Sequence, residues 1–204
     1  MRKLIFMLII LWTAMTASAY DFEYNYLKYS IIDRETRTCR IDGRVHSMWG
    51  WDEIILSEVP DGETTYTVTA IGEGAFAGYG WDRKLEIPHT ITEIGRKAFM
   101  YCDIGSIVLP EHLTEIAYSL FFETRFRYLR SEAPIHIPNG VKRIGTRAFY
   151  NCEEDPREIV LPESVTEIGE AAFHGYLGIH SLNLPGLTEI NDSILAFTHV
   201  SSIT

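Results

Sequence analysis

The stretch "TAIGEGAFAGYG", residues 69–80, contains the motif that decides the fold of this chain. Copies of its core "AIGEGAF" (70–76) are "EIGRKAF" (93–99), "RIGTRAF" (143–149) and "EIGEAAF" (167–173), with weaker copies at 115–121 and 189–195. The motif isoleucines are separated by 23, 22, 28, 24 and 22 residues. A period of this length is typical of solenoids, in which each unit forms one turn of a coil and buries its apolar face against its neighbours.

A second marker runs in phase with the first and predicts one short strand in each unit. Its copies are "EIP" (86–88), "VLP" (108–110), "HIP" (136–138), "VLP" (160–162) and "NLP" (183–185). In "SIVLP" (106–110) we expect Ile107 and Leu109 to point inward and Val108 to point outward, because side chains alternate along a strand. Pro110 should end the strand, since it lacks a backbone donor.

The segment "RKAFMYC", residues 96–102, predicts a short helical turn after each motif isoleucine. Ala98, Phe99 and Cys102 fall at positions i, i+1 and i+4, a spacing that places all three on one face of a helical turn.

The glycines of the opening stretch could instead form a phosphate-binding loop. However, Gly72 recurs once per unit, as Gly95, Gly145 and Gly169. A phosphate loop occurs once in a domain, and the spacing G-x-G-x-x-x-G departs from the dinucleotide-binding pattern. We therefore interpret Gly72 as a corner glycine that lets the chain turn, and we assign no special role to Gly74 and Gly78.

The full unit, L-x-x-I-x-L-P-x-x-V-x-x-I-G-x-x-A-F-x-x-C, resembles the BspA-type leucine-rich repeat. Residues 104–121 and 159–173 match it closely, and the resemblance covers roughly residues 52–204. It implies a right-handed leucine-rich-repeat solenoid with short parallel β-strands. It also implies a surface or secreted bacterial protein that binds other proteins, and some members of the family resemble adhesins for host matrix proteins.

The chain divides into three predicted segments. Residues 1–19 read as a signal peptide, with Arg2 and Lys3 before an apolar core and a small-residue site for cleavage after Ala19; an uncleaved signal anchor is the alternative. Residues 20–60 predict a β-rich N-terminal cap with a hairpin, and 61–204 the solenoid, whose last repeat is truncated. We expect a secreted or cell-surface protein with no integral membrane span after cleavage.

Composition and cysteine spacing exclude several functions. A formal net charge of -10 disfavours binding to nucleic acid or to anionic lipid. Cys102 and Cys152 hold the same repeat position two units apart, so stacking would separate them by about 10 Å, too far for a disulfide. With Cys39 they should be free, buried thiols. The histidines show no metal-ligand spacing and no catalytic motif is present, so we expect no cofactor, no metal and no enzyme activity.

The candidate ligand surface is the row of outward strand positions that stacking would align. These positions are Glu86, Val108, His136, Val160 and Asn183. The long spacing of 28 marks an insertion of about five or six residues in the third unit, within "FETRFRYLRSEAP" (122–134), a basic and aromatic segment. Its candidate contact residues are Arg125, Arg127, Tyr128 and Arg130. The alternative is that both are ordinary solvated surfaces.

These patterns favour a non-enzymatic interaction or adhesion module that binds a protein ligand, with a host matrix or surface protein as one candidate. The alternative function is a structural or assembly role. In that case the open C-terminal end continues into more repeats or associates with another chain, including a second copy.

Overall fold

The computed structural model describes residues 20–45, 55–126, 135–153, 158–176, 181–183, 193–196, 198 and 202–203. The strands within these residues are β1 Phe22–Tyr24, β2 Leu27–Asp33, β3 Thr38–Arg44, β4 Glu58–Asp61, β5 Thr64–Ile71, β6 Gly80–Glu86, β7 Glu93–Ile94, β8 Asp103–Val108, β9 Glu115–Ile116, β10 Arg125–Phe126, β11 Ile135–His136, β12 Arg143–Ile144, β13 Glu158–Val160, β14 Glu167–Ile168, β15 Ser181–Asn183 and β16 Ser202–Ile203. The predicted signal peptide lies outside the described residues.

The N-terminal part is a sheet built on hairpins, as the sequence predicted. Strands β2 and β3 pair antiparallel around the turn at 34–37, and β4 pairs antiparallel with β5. Asp33 stabilises the first turn by accepting hydrogen bonds from the N–H groups of Thr36 (3.1 Å) and Glu35 (2.7 Å), which lower the pKa of its carboxyl group.

This hairpin sheet continues into the coils without a break. Strand β3 pairs in parallel with β5, and the end of β5 pairs in parallel with β7, where Ile71 lies opposite Ile94. The hairpin therefore covers the first coil with strand backbone, and its apolar residues belong to the same core as the repeats. The exact division between cap and solenoid stays a prediction.

One parallel ladder, centred on β8, takes its strands from three successive coils, and β13, β15 and β16 form a separate parallel sheet. Strand β6 pairs with one side of β8, and β10 and β11 pair with the other. The expected alternation is present, since Ile107 and Leu109 are buried whereas Val108 is 40% exposed. The two-residue strands β9, β12 and β14 form a second parallel ladder on another side of the coil.

The segment after each short strand is a corner of tight turns, so the expected helical turn is wrong. In the corner at 95–101, the N–H groups of Lys97 and Phe99 donate to the carbonyls of Tyr118 and Leu120 in the next coil (3.1 and 3.0 Å). A helix would bond these groups within the segment. Alternate amides instead tie each corner to its neighbour.

Left-handed backbone at two positions per corner explains why no helix forms there. The residues three and seven places after the five described motif isoleucines have φ between +49° and +77°: Gly74, Gly78, Lys97, Tyr101, Ser119, Glu123, Arg147, Asn151, Ala171 and Gly175. Such angles interrupt a right-handed helix and favour glycine. Gly74 and Gly78 therefore have a defined conformational role, which corrects the sequence interpretation.

The recurring corner glycine serves close packing between coils. A Cβ atom on Gly145 would lie 2.7 Å from the backbone nitrogen of Tyr118, and one on Gly95 would lie 2.7 Å from that of Glu73. Neither glycine has positive φ. The residue is glycine because the preceding coil passes directly against it, whereas the sequence suggested that it lets the chain turn.

A column of phenylalanine rings fills the centre of the corners. Phe76, Phe99, Phe121, Phe149 and Phe173 stack face to face, with centroids 5.2 to 5.7 Å apart and planes within 20° of parallel. All five are at most 1% exposed. This spacing is close to that between neighbouring strands, so the ladder and the ring column share one repeat distance.

Polar side chains beside this column donate hydrogen bonds to the backbone carbonyls of the stacked phenylalanines. The Sγ atoms of Cys102 and Cys152 donate to the carbonyls of Phe76 and Phe121 (3.1 and 2.9 Å), and Thr124 does the same toward Phe99 (2.5 Å). All three cysteines are free and buried, as expected. Burial raises the pKa of the Cys39 thiol to about 12 and raises that of Cys102 still further.

Candidate ligand-binding surface

Three of the five predicted stripe positions form a row of exposed side chains on adjacent strands. Glu86 pairs with Val108 across β6 and β8, and Val108 pairs with His136 across β8 and β11. All three side chains are exposed. The stripe, defined here as Glu86, Val108 and His136, therefore crosses three coils in register.

The stripe presents an apolar centre between two polar groups. Val108 lies between Glu86, which pairs with Lys84 at 3.0 Å, and the His136 imidazole. Farther along, the backbone of Val160 pairs with that of Asn183, but their side chains lie outside the described part of the structure. The parallel ladder fixes this spacing at about 4.8 Å per strand.

The long insertion leaves and rejoins the strand ladder beside β8. Arg125 and Phe126 pair with Asp103 and Ile104, and Ile135 and His136 pair with Ile107 and Val108. Eight residues (127–134) separate these two pairings along the chain, whereas on β8 only residues 105–106 lie between them. The surplus agrees with the predicted insertion. Three of its candidate contact residues, Arg127, Tyr128 and Arg130, lie outside the described residues.

Arg125, the fourth candidate, is engaged within the chain. Its backbone pairs with Asp103 on one side and Glu153 on the other, and its guanidinium contacts both carboxylates, at 3.9 Å and 2.8 Å. The side chain remains 57% exposed. It links three coils electrostatically, so less of its charge is available to a ligand than the sequence suggested.

A second arginine bridges two carboxylates of neighbouring coils in the same way, on the short strands β9, β12 and β14. Arg143 lies between Glu115 and Glu167 in the β9–β12–β14 ladder and approaches them at 3.5 and 3.0 Å. Opposite charges directly across a ladder stabilise it modestly at the solvent boundary. The negative charge of Glu115 and Glu167 is therefore partly neutralised by Arg143.

Sequence reasoning missed an outer aromatic column on the corners. The rings of Phe122, Tyr150 and His174 stack almost parallel, with centroids 5.0 and 4.6 Å apart. Tyr101, which is 52% exposed, packs edge-on against Phe122 at 5.7 Å. Alignment of the units on the motif isoleucine would have shown this column, because its three stacked members are each the sixth residue after it.

Two grooves on the coil surface are lined largely by polar residues. One, of about 580 Å³, is lined by Cys102, Asp103, Arg125, Asn151 and Glu153 among others. The raised pKa of Cys102 keeps that thiol protonated, which makes it a poor nucleophile. Among the described residues no three histidine, cysteine or carboxylate side chains are placed to share a metal ion, and no helix there could cross a bilayer.

Comparison with known proteins gives a consistent result. The profile of the BspA type leucine rich repeat region matches residues 59–130 and 123–204, with six copies of the repeat. No match was found among curated proteins.

Several solved structures share the fold. A leucine-rich repeat protein from Bacteroides ovatus is 24% identical, with a TM-score of 0.61 over 89% of this chain and 58% of its own. A leucine-rich repeat protein from T. pallidum is 24% identical, with a TM-score of 0.57 over 81% and 72%. The pneumococcal vaccine antigen PcpA is 19% identical, with a TM-score of 0.57 over 82% and 50%. The chain thus spans little more than half the length of the first of these.

Proposed function

This chain belongs to the BspA-type leucine-rich repeat family, and from that premise we propose that it is an exported, non-enzymatic module that binds a protein ligand through the strand face of its solenoid. The observation that carries the proposal is the register of Glu86, Val108 and His136 on three adjacent strands. Stacked coils convert one variable position per repeat into a continuous surface, which is how repeat proteins recognise partners.

The composition of the stripe is suited to protein recognition. An exposed valine flanked by a carboxylate and an imidazole offers apolar contact with hydrogen-bonding groups on both sides. Backbone pairing on both sides of β8 holds these side chains in place before binding, so less ordering entropy opposes the complex. We propose that Val160 and Asn183 extend the stripe, and that Arg127, Tyr128 and Arg130 contact the same ligand from the adjoining insertion.

We further propose that residues 1–19 direct export, with cleavage after Ala19, and that the ligand is a host matrix or surface protein. Self-association through the C-terminal end stays a prediction, which light scattering of the purified protein would test.

The stripe is tested by a single substitution with a matched control. Val108→Asp should reduce capture of a protein ligand from matrix or cell-surface extracts, because it removes the apolar centre and adds charge there. Ile32→Asp is the control, since Ile32 is also an exposed apolar residue on a strand (54% exposed) but lies on the hairpin. Each captured protein would be identified by mass spectrometry and its dissociation constant measured with both variants. Equal binding by Val108→Asp and the unmodified protein would contradict the proposed surface.

The insertion is tested separately. Arg127→Glu with Arg130→Glu should weaken the same complex and leave light scattering unchanged. Arg125 is best left intact in this experiment, because its substitution would also break the contacts to Asp103 and Glu153.

A further inference from the structure

The corners carry a second exposed surface, on a side of the coil separate from the strand face. Its centre is the outer aromatic column of Phe122, Tyr150 and His174, which runs along the solenoid axis. These rings lie one residue beyond the buried phenylalanine column and are partly exposed. They therefore form an apolar ridge on the outside of the protein.

The rings of this ridge present their edges to solvent. Phe122 and Tyr150, and Tyr150 and His174, are each within 4° of parallel and about one coil apart. Both faces of the central Tyr150 ring are occupied by Phe122 and His174, so that ring leaves only its edge accessible. Ring edges carry partial positive charge and favour contact with anionic and apolar groups.

Cations flank the ridge on the same corners. Lys97 and Arg147 occupy equivalent positions two coils apart, and the Arg147 guanidinium lies 5.8 Å from the centre of the Tyr150 ring. Arg96 adds a third, exposed cation beside Lys97. Within the described part of the chain none of these three forms an ion pair. The exposed carboxylates on the corners that carry these rings and cations are Glu123 and Glu170, in a protein of net charge -10.

From this arrangement we propose that the corner ridge binds an acidic, extended polypeptide segment. Lys97 and Arg147 are two stacking steps apart, or about 10 Å. In polyproline II conformation residues i and i+3 lie on the same side of the chain about 9 Å apart. Carboxylates at every third position would therefore meet both cations, and apolar residues between them would pack on the ring edges.

The ring arrangement favours a polypeptide over a glycan or a nucleic acid. Aromatic sites for bases use open ring faces on which the ligand stacks, and a sugar ring likewise packs its C–H face flat on an open aromatic face. Here both faces of Tyr150 and one face each of Phe122 and His174 are covered by neighbouring rings. Carboxylate recognition by arginine and lysine needs no open ring face.

A labelled peptide of repeated Glu-Leu-Pro triplets is the probe, followed by fluorescence anisotropy at low salt. We expect the purified protein to bind it. Lys97→Glu with Arg147→Glu should weaken binding at least tenfold, because both cation contacts become repulsive. The control pair is Arg34→Glu with Lys142→Glu. It makes the same change in net charge at exposed positions away from the ridge, and we expect less than a twofold effect.

The outcomes separate the ridge from general electrostatics and from the strand face. The proposal is overturned if both charge-reversal pairs weaken binding equally, or if the unmodified protein does not bind the peptide. It is also overturned if a heparin oligosaccharide binds with the same dependence on Lys97 and Arg147 while the peptide does not. A Gln-Leu-Pro peptide should not bind, and Val108→Asp should bind the acidic peptide normally even if it loses a strand-face ligand.

Discussion

The corners and the strand face of the same coils are built under different constraints. At the corners the backbones touch, so that a Cβ on Gly145 would lie 2.7 Å from a backbone atom of the preceding coil. On the strand face, β6 shifts register by one residue against β8. On the other side of β8, eight residues separate β10 from β11, whereas only two residues of β8 lie between the two pairings. The corners thus hold the repeat distance, while the strand face tolerates change.

The substitution with the largest expected effect on stability is Phe121→Ala, in the buried ring column. Phe121 stacks on both Phe99 and Phe149, and its removal leaves a cavity that the close-packed corners cannot refill. We expect the free energy of unfolding to fall by about 3–5 kcal/mol, as measured by urea denaturation. Phe122→Ala, on the neighbouring outer column, is the control and should cost much less. Similar losses at both positions would show that the inner column has no special part in stability.

Gly145→Ala should have the next largest effect. The added methyl group would meet the backbone of residues 116–118, which belongs to a ladder and cannot move independently. We expect destabilisation of about 1–3 kcal/mol. Gly80→Ala is the matched control, since its Cβ would lie at an ordinary 3.7 Å from Asp103. A neutral Gly145→Ala would mean that the coils are not held at this distance by their corners.

Glu123→Gly should stabilise the protein, in contrast to most changes at the corners. Glu123 is exposed and has φ of +50°, a conformation that glycine adopts without steric cost. We expect a gain of about 0.5–1 kcal/mol after the entropy of the unfolded glycine is counted. Gly78→Ala is the reverse change at the equivalent position, where φ is +77°, and its melting temperature should fall. Shifts in the same direction for both variants would contradict a conformational role.

Val108→Asp should have the smallest effect on stability. Its side chain is exposed and its backbone bonds stay intact, so we expect a change within about 0.5 kcal/mol. The melting temperature of Val108→Asp would be compared with that of Ile107→Asp, a substitution at the neighbouring, buried residue. A large loss for Val108→Asp would indicate that the strand face also carries stability, and it would weaken the use of this variant as a binding test.

The sequence predicted the strand side of the coil well because strand alternation is local. Ile107, Val108 and Leu109 could be assigned from a period of two and the proline that follows. The placement of Cys102 and Cys152 at one repeat position followed from the spacing of the repeat units, and none of the three cysteines forms a disulfide.

The corners were predicted less well because local spacing there is ambiguous. Ala98, Phe99 and Cys102 fit one face of a helix, yet they also fit consecutive tight turns whose amides bond to the next coil. The left-handed positions were hidden because several are Lys, Ser or Arg, for which positive φ is uncommon. The partners of Arg125 and the outer aromatic column depend on contacts between residues more than 20 positions apart, which composition does not reveal.

On one side of β8 the partner strand is split into two short pieces, β10 and β11, and this split affects how such a protein can diversify. Both pieces pair with β8 although eight residues separate them, where β8 itself uses two. Loop closure becomes only slightly less favourable as a loop lengthens. Evolution, or an engineer grafting a recognition peptide, can therefore vary the chain at this point while leaving the neighbouring coils and their core unchanged.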